Sequence, residues 1–171
     1  MKPVTAFAVL CGMMALTGAF VPPLEEMEAA KTKLVKRSFS CPPLWSYYYG
    51  RCYLYVTTQM SWARAEKHCQ DLGGNLASIH SILDYHEIER VIALTYRGSG
   101  TVWVGASDAQ QEGFWLWSDG TPFHYTNWCP GKPSAHNTYQ SCAEMQFPGN
   151  KCWSDTHCNY NRPFVCTRKS Y

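Results

Sequence analysis

The pattern of apolar and polar positions predicts a hairpin and a helix at the start of the folded part of the chain. The stretch Tyr47–Val56 is rich in aromatic residues that favour β-structure and is interrupted by Gly50, so it predicts a β-hairpin. Ser61 is a good N-cap for the helix that follows, and Gly73–Gly74 end it. The apolar residues that repeat at helical spacing between these limits are Trp62, Ala65, Cys69 and Leu72.

A second helix is predicted over Ser81–Leu94. Ser81 and Asp84 form a pair of the capping-box type at its start. The apolar stripe expected to face the core consists of Ile82, Tyr85, Ile88 and Ile92.

The second half of the chain predicts short strands separated by long loops. Val102–Gly105 reads as an apolar strand, and Glu112–Phe123 as a strand with a turn at Asp119–Gly120. Cys142–Phe147 and Pro163–Arg168 are two later strands. The loops between them are rich in Pro, Gly, Asn and Ser, and loops of this length are often functional. Because the helices come early and the strands late, the predicted fold class is α+β.

The N-terminal region indicates export. Residues 1–19 have a basic start, a short apolar core and small residues near a cleavage site, as in a signal peptide, rather than a helix of the fold. Residues 20–37 predict a linker or propeptide whose dibasic end is either a processing site or part of a solvated tail. The folded domain is therefore expected over residues 38–171, in a secreted, extracellular protein.

The cysteine count favours disulfides. Cys11 of the nine cysteines falls in the signal peptide, which leaves eight in the mature chain. An even number in a short exported chain implies a disulfide framework. A structural zinc site would need two close C-x-x-C pairs, and these spacings do not supply them. Spacing alone leaves the pairing open.

Charge and candidate chemistry exclude several functions. From Ser38 onward, ten Lys and Arg side chains balance ten Asp and Glu, so nothing indicates nucleic acid or an anionic membrane as a partner. No apolar run reaches the about 20 residues of a membrane span. The motif HEIER at His86 lacks the second His of a zinc protease, and no free thiol or histidine constellation indicates an enzyme.

Several motifs together resemble the C-type lectin-like domain over about Cys41–Lys169. They are GGNLASIHS, VWVGASD, WLWSDGTPFHYTNW, the loop around Pro133, CWSD and PFVC. The resemblance implies two helices with small antiparallel sheets, a long loop region and a tryptophan-rich core. It also implies four disulfides, namely Cys41–Cys52, Cys69–Cys166, Cys142–Cys158 and, as an extra pair, Cys129–Cys152. The extra pair resembles one found in secreted fish proteins, namely ladderlectin and nattectin-type lectins and type II antifreeze proteins.

Sugar-binding members of this family hold calcium beside a proline in the long loop, where the sugar completes the coordination shell. The matching positions here are Lys132, Ser134, Gln140, Ser154 and Asp155. Calcium takes about six to eight oxygen ligands, several of them anionic, whereas a lysine ammonium has no lone pair. The site is therefore expected not to bind calcium in the ordinary way, and no cofactor is predicted.

The family's auxiliary calcium site is also degenerate. Asp108 and Glu112 lie at the matching positions, but their loop partners fall near Ala135 and Ser141, which carry no charge. We interpret Asp108 and Glu112 as solvated loop residues. For Lys132 two interpretations stand: its ammonium replaces the metal near Asp155, or it points into water.

Three functions remain open from the sequence. The first is recognition of carbohydrate, or of glycoproteins on cell surfaces, without the standard calcium geometry, with agglutination as a consequence. Its candidate ligand residues, besides the five matching positions, are His136, Asn137 and Tyr139, with Tyr139 or Trp128 available to stack on a sugar. The second is ice binding, and the third is protein binding by a venom or innate-immunity factor.

Overall fold

A hairpin and two helices come first along the chain, and strands alternating with long loops follow. The computed structural model describes residues 40–134, 140–148 and 152–171. The predicted signal peptide and linker lie outside the described residues. The elements are β1 (Ser46–Tyr48), β2 (Arg51–Met60), α1 (Trp62–Asp71), β3 (Asn75–Leu76), α2 (Ile82–Ala93), β4 (Gly100–Ser107), β5 (Leu116–Trp117), β6 (Cys142–Phe147), β7 (Trp153–Thr156) and β8 (Arg162–Lys169).

The strands, which the resemblance implied as small antiparallel sheets, form one connected sheet with mostly antiparallel pairings. Its order is β1-β2-β8-β4-β6-β7, with β3 paired to β8 and β5 paired to β4. All pairings are antiparallel except that of β4 with β8, where Trp103 lies beside Phe164. The difference arises because β8, at the end of the chain, inserts between β2 and β4 and joins the two halves of the sheet. The α+β class is confirmed.

Two glycines explain how α1 ends and how β8 passes beside it. Gly73 has φ +77°, a conformation that side chains other than glycine rarely adopt. A Cβ on Gly74 would lie 2.3 Å from the backbone oxygen of Thr167. The pair therefore ends the helix and lets β8 approach closely. At the other end, Ser61 has extended backbone geometry but makes no side-chain capping hydrogen bond.

Helix α2 begins with the predicted cap. Ser81 Oγ accepts a hydrogen bond from Asp84 N at 3.2 Å, and Asp84 Oδ2 accepts one from His80 N at 3.0 Å. The predicted apolar stripe is partly wrong, because Ile82 is 44% exposed. Ile82 is the first residue of the helix, and the buried face consists of Tyr85, Glu87, Ile88, Val91 and Ile92.

The core contains most of the predicted tryptophans. Trp103 and Trp153 are fully buried, and Trp115 and Trp117 nearly so. Trp62 is half-buried, and its Nε1 donates to the carbonyl of Val104 at 2.8 Å. No helix within the described ranges has the length and apolar character needed to cross a bilayer.

A buried carboxylate joins α1 to the sheet. Glu66 is 7% exposed. Its oxygens accept hydrogen bonds from Gln70 Nε2 (2.8 Å), Asn75 Nδ2 (2.6 Å), Leu76 N (2.8 Å) and Ser118 Oγ (2.9 Å). Four donors satisfy a group whose burial would otherwise be costly.

The disulfides pair as the resemblance implies. They are Cys41–Cys52, Cys69–Cys166, Cys129–Cys152 and Cys142–Cys158. All eight cysteines of the described residues are therefore oxidised.

Candidate functional site

The loop that contains Pro133 is attached to β7 at its base. Cys129 N donates to the carbonyl of Trp153 at 2.8 Å, and Trp153 N donates to the carbonyl of Asn127 at 2.8 Å. The disulfide Cys129–Cys152 closes the same contact covalently. Pro133 follows a cis peptide bond. These contacts hold the start of the loop against the strand that carries Asp155.

The Lys132 ammonium lies among the oxygens that match the family's calcium ligands. Its Nζ is 3.0 Å from Asp155 Oδ1, 2.8 Å from Ser134 Oγ and 3.4 Å from the carbonyl oxygen of Asp155. Ser134 N donates to Asp155 Oδ2 at 2.9 Å. The side chain of Asp155 is only 1% exposed and that of Lys132 is 27% exposed. The ammonium therefore neutralises a buried carboxylate, as expected if it replaces the metal.

Ser154 lies away from this ion pair. Its Oγ donates to Glu144 Oε1 at 3.2 Å, and Arg162 Nε donates to Glu144 Oε2 at 2.9 Å. Glu144 was not a sequence candidate. The pairing of β6 with β7 places it directly opposite Ser154, and this register is not readable from either strand alone.

A pocket of about 360 Å³, which we call the Pro133 pocket, borders the ion pair. It is lined by Asp108, Glu112, Gly113, Trp115, Pro133, Ser134, Gln140 and Asp155. It therefore joins both sets of positions that the sequence singled out, the primary ones and the auxiliary ones. Trp115 belongs to the tryptophan-rich core that the resemblance implies, and nothing in the sequence indicates that it also lines this pocket.

The sequence suggested that Asp108 is a solvated loop residue, and the structure shows that it is buried. It is 3% exposed, and its Oδ2 accepts a hydrogen bond from Gly113 N at 2.8 Å. Its Oδ1 is buried without a hydrogen-bond partner among the described residues. A buried carboxylate oxygen without a donor is costly, and Asp108 is one of the residues that line the pocket.

The remaining sequence candidates are distributed as follows. His136, Asn137 and Tyr139 lie outside the described residues. Trp128 is half-buried and packs against Trp115 and Trp153, with ring centroids 4.6 Å and 5.7 Å away. Trp128 therefore supports the loop from below.

The described residues do not fit a calcium ion at the primary position. A cation of the protein already lies beside the single carboxylate there, and two like charges a few ångströms apart repel each other. Across residues 40–134, 140–148 and 152–171, no three His, Cys, Asp or Glu side chains form a group that could hold a metal. No step of recognition is therefore assigned to a metal.

The fold is a disulfide-bonded α+β domain, and the loop around Pro133 borders a pocket that could hold a ligand. The family model of the lectin C-type domain matches residues 58–168, and the chain belongs to this family.

Relatives of the chain include proteins of two kinds. Ladderlectin of Oncorhynchus mykiss is 34% identical over 99% of this chain and 95% of its own length. The galactose-specific lectin nattectin of Thalassophryne nattereri is 38% identical over 75% of this chain and 80% of its own. A crystal structure of a calcium-independent type II antifreeze protein superposes with a TM-score of 0.72, at 34% identity, over 80% of this chain and 99% of that one.

Proposed function

We propose that this protein is a secreted lectin that binds carbohydrate in the Pro133 pocket without calcium. The observation that supports the proposal is the Lys132–Asp155 ion pair, because both residues match positions of calcium ligands in the family and an ammonium lies beside the carboxylate. The pair keeps Ser134 in place through both its backbone N and its hydroxyl. Lys132 and Ser134 are thereby held by the charge of Asp155.

The chemistry of the pocket suits a neutral saccharide. Sugars combine hydroxyl groups with apolar ring faces, and a site for them needs a few convergent polar groups beside an apolar surface. Asp108 Oδ1, which has no donor, is available to accept a hydrogen bond from a sugar hydroxyl. Gln140 offers both a donor and an acceptor. Trp115 and Pro133 supply apolar surface. The similarity to a galactose-specific lectin supports galactosides as the first sugars to test.

The test is binding of the secreted protein to a glycan array and agglutination of erythrocytes, each with calcium and with EDTA. We expect one class of sugar to bind equally in both conditions. Asp108→Asn, which keeps the shape of the side chain, is expected to weaken binding about tenfold, since it alters one buried hydrogen bond to a charged group. Lys132→Met should weaken it at least as much, because Asp155 loses its cation.

Lys67→Met is the matched control. Lys67 pairs with Asp71 on the exposed face of α1, and its loss should leave sugar binding unchanged. Circular dichroism establishes that each variant is folded before binding is compared. Failure of every sugar in both conditions, or binding abolished by EDTA, would contradict the proposal.

Secretion is the cellular part of the proposal. Residues 1–19 have the composition of a signal peptide, and four disulfides suit an oxidising compartment. Intact-mass measurement of protein from the culture medium of expressing cells should show an N-terminus after residue 19. Retention of residues 1–19 in the mature protein would refute it.

Ice binding is the second candidate function. It is favoured by the structural similarity to a calcium-independent type II antifreeze protein. Thermal hysteresis of the purified protein distinguishes the two functions: a lectin at millimolar concentration should show none beyond that of a control protein. Measurable hysteresis together with an empty glycan array would select ice binding.

A further inference from the structure

A second pocket, of about 480 Å³, lies where the ends of β2, β3 and β8 meet. We call it the Thr167 pocket. It is lined by Arg51, Gly73, Gly74, Asn75, Asp119, Thr121, Thr167, Arg168, Lys169, Ser170 and Tyr171. It shares no lining residue with the Pro133 pocket. Neither the family resemblance nor the proposed function assigns it a role.

The Thr167 pocket concentrates positive charge in a domain that is otherwise balanced. Arg51 lies directly opposite Lys169 in the pairing of β2 with β8, and Arg168 precedes Lys169 in β8. Like charges directly opposite each other in an antiparallel pair are destabilising. Three cationic residues and one acidic side chain, that of Asp119, therefore line the pocket.

The carboxylate of Asp119 is held by three hydrogen bonds, and its single negative charge offsets at most one of the three positive charges. Its oxygens accept hydrogen bonds from the Ser78 hydroxyl and from both the backbone N and the hydroxyl of Thr121. Burial alone would raise the pKa of Asp119, but these hydrogen bonds and the nearby charge of Arg51 lower it below its ordinary value. Arg51 also donates to Ser78, at 3.0 Å.

Two buried donors at this pocket have no partner. Thr167 is 4% exposed, and its hydroxyl makes no hydrogen bond to any described residue. Arg168 Nε is also buried without a partner in the described structure. The rest of the Arg168 guanidinium is fixed: Nη1 donates to the carbonyl of Leu72 at 3.0 Å, Nη2 donates to the Tyr171 hydroxyl, and the group lies over the Tyr171 ring. Unpartnered buried donors are uncommon in folded proteins and call for an acceptor.

The pocket is built by close packing and not by a chance meeting of surface side chains. Asn75 of β3 lies opposite Thr167 of β8, and Gly74 has no room for a Cβ because the Thr167 carbonyl is too near. Arg51, Thr167 and Lys169 share one face of the sheet, since Lys169 lies two residues beyond Thr167 and opposite Arg51. Their donors therefore converge from two neighbouring strands.

We propose that the Thr167 pocket binds a tetrahedral oxyanion, the sulfate or phosphate ester of a saccharide. Arg51 and Lys169 supply the opposite charge, and the Thr167 hydroxyl, on the same face of the sheet, donates to an oxygen of the ester. Donors on separate strands surround a tetrahedral group better than they face a planar carboxylate. A volume of about 480 Å³ exceeds what a bare ion needs and leaves room for a sugar ring.

The test is calorimetric titration of the full mature chain at constant ionic strength. The probes are inorganic sulfate, inorganic phosphate, sodium acetate, a sulfated disaccharide derived from heparin, and glucose 6-phosphate. We expect saturable binding of the tetrahedral anions, little binding of acetate, and at least tenfold tighter binding of one of the two sugar esters than of its bare anion. Tighter binding of the sulfated disaccharide identifies sulfate esters as the ligand, and tighter binding of glucose 6-phosphate identifies phosphate esters.

Variants assign the binding to this pocket. Thr167→Val removes the hydroxyl at nearly constant volume, and Lys169→Gln removes one exposed charge; each should weaken anion binding about fivefold or more. Thr167→Val should not lower Tm, since it removes an unpartnered buried hydroxyl, so lost binding would not reflect unfolding. Lys67→Gln, on the exposed face of α1, should leave anion binding unchanged. Absence of saturable binding, equal affinity for acetate, or an equal loss in Lys67→Gln would overturn the proposal.

Discussion

At the scale of single residues, Lys132 is the change that most alters the family's loop. The same position in a calcium-binding member carries an oxygen ligand, whereas here an ammonium donates to Ser134 and pairs with Asp155. An ion pair with one partner 1% exposed differs from an exposed surface pair, because removal of the lysine leaves a buried charge. In the proposed calcium-free site, the ammonium of Lys132 takes the place of the metal beside Asp155.

Glu66 allows a prediction at the same scale. Glu66→Ala removes a carboxylate that accepts four hydrogen bonds and leaves buried donors of Asn75, Leu76 and Ser118 unpaired. We expect the free energy of unfolding to fall by about 3 kcal/mol. Urea denaturation of the oxidised protein measures this loss.

The matched control for Glu66 is Asp71→Ala on the same helix. Asp71 is largely exposed and pairs only with Lys67 among the described side chains, so its loss should cost less than about 1 kcal/mol. If both variants shift the urea midpoint equally, Glu66 does not anchor α1 as described.

At the scale of elements, disulfide Cys129–Cys152 links the base of the Pro133 loop to the strand that carries Asp155. Beside it, the Trp153 carbonyl accepts a backbone hydrogen bond from Cys129 N and Trp153 N donates one to Asn127, while the Trp128 ring packs against that of Trp153. The loop therefore has a covalent, a hydrogen-bonded and an aromatic connection to β7. These connections hold the base of the loop, at Trp128 and Cys129, against β7.

Replacing Cys129 and Cys152 together by Ala tests this connection. The two residues are 23 apart in sequence, and a crosslink of that length is worth about 3 kcal/mol in the chain-entropy estimate. We expect that loss of stability together with at least a tenfold loss of sugar binding, measured by denaturation and by glycan binding at a temperature where the variant is folded.

The Cys41–Cys52 pair provides the comparison. It spans 11 residues and joins the chain before β1 to β2. The free energy of unfolding of its double Ala variant should therefore also fall by about 3 kcal/mol. Its sugar binding should be unchanged, because no residue of this pair lines the Pro133 pocket. Equal loss of sugar binding in both variants would show that the Cys129–Cys152 disulfide acts only through overall stability.

At the scale of the whole molecule, stability should not depend on calcium. A ligand present at 100 times its Kd stabilises a protein by about 2.7 kcal/mol, which a Tm measurement detects readily. Since Lys132 lies at the primary position, we expect Tm to change by less than about 1 °C between millimolar calcium and EDTA.

The sensitive arm of this experiment is Lys132→Glu. It places a second carboxylate beside Asp155 without a cation, so the variant should melt lower in EDTA and recover in calcium. A saturable rise in the Tm of the unchanged protein with calcium would instead locate a metal site, with Asp108 as its first candidate.

The sequence determined the class of the fold, the ends of the helices and the presence of a disulfide framework. These follow from local signals: periodicity, the Ser81–Asp84 cap, Gly73–Gly74 and an even number of cysteines. The motifs that resemble the family then supplied the disulfide pairing and the positions around Pro133. Local patterns suffice for these features because each depends on residues close together in the chain or on short sequence motifs that are recognised as units.

Only the tertiary structure decided which side chains meet. It joined the strands into one sheet through β8, turned Ser154 toward Glu144, and brought Asp108 and Trp115 to the Pro133 pocket. It also gathered Arg51, Thr167 and Lys169 from distant parts of the sequence. The physical reason is that the register between strands and the packing of loops depend on contacts between residues far apart in the chain, and no local pattern encodes these contacts.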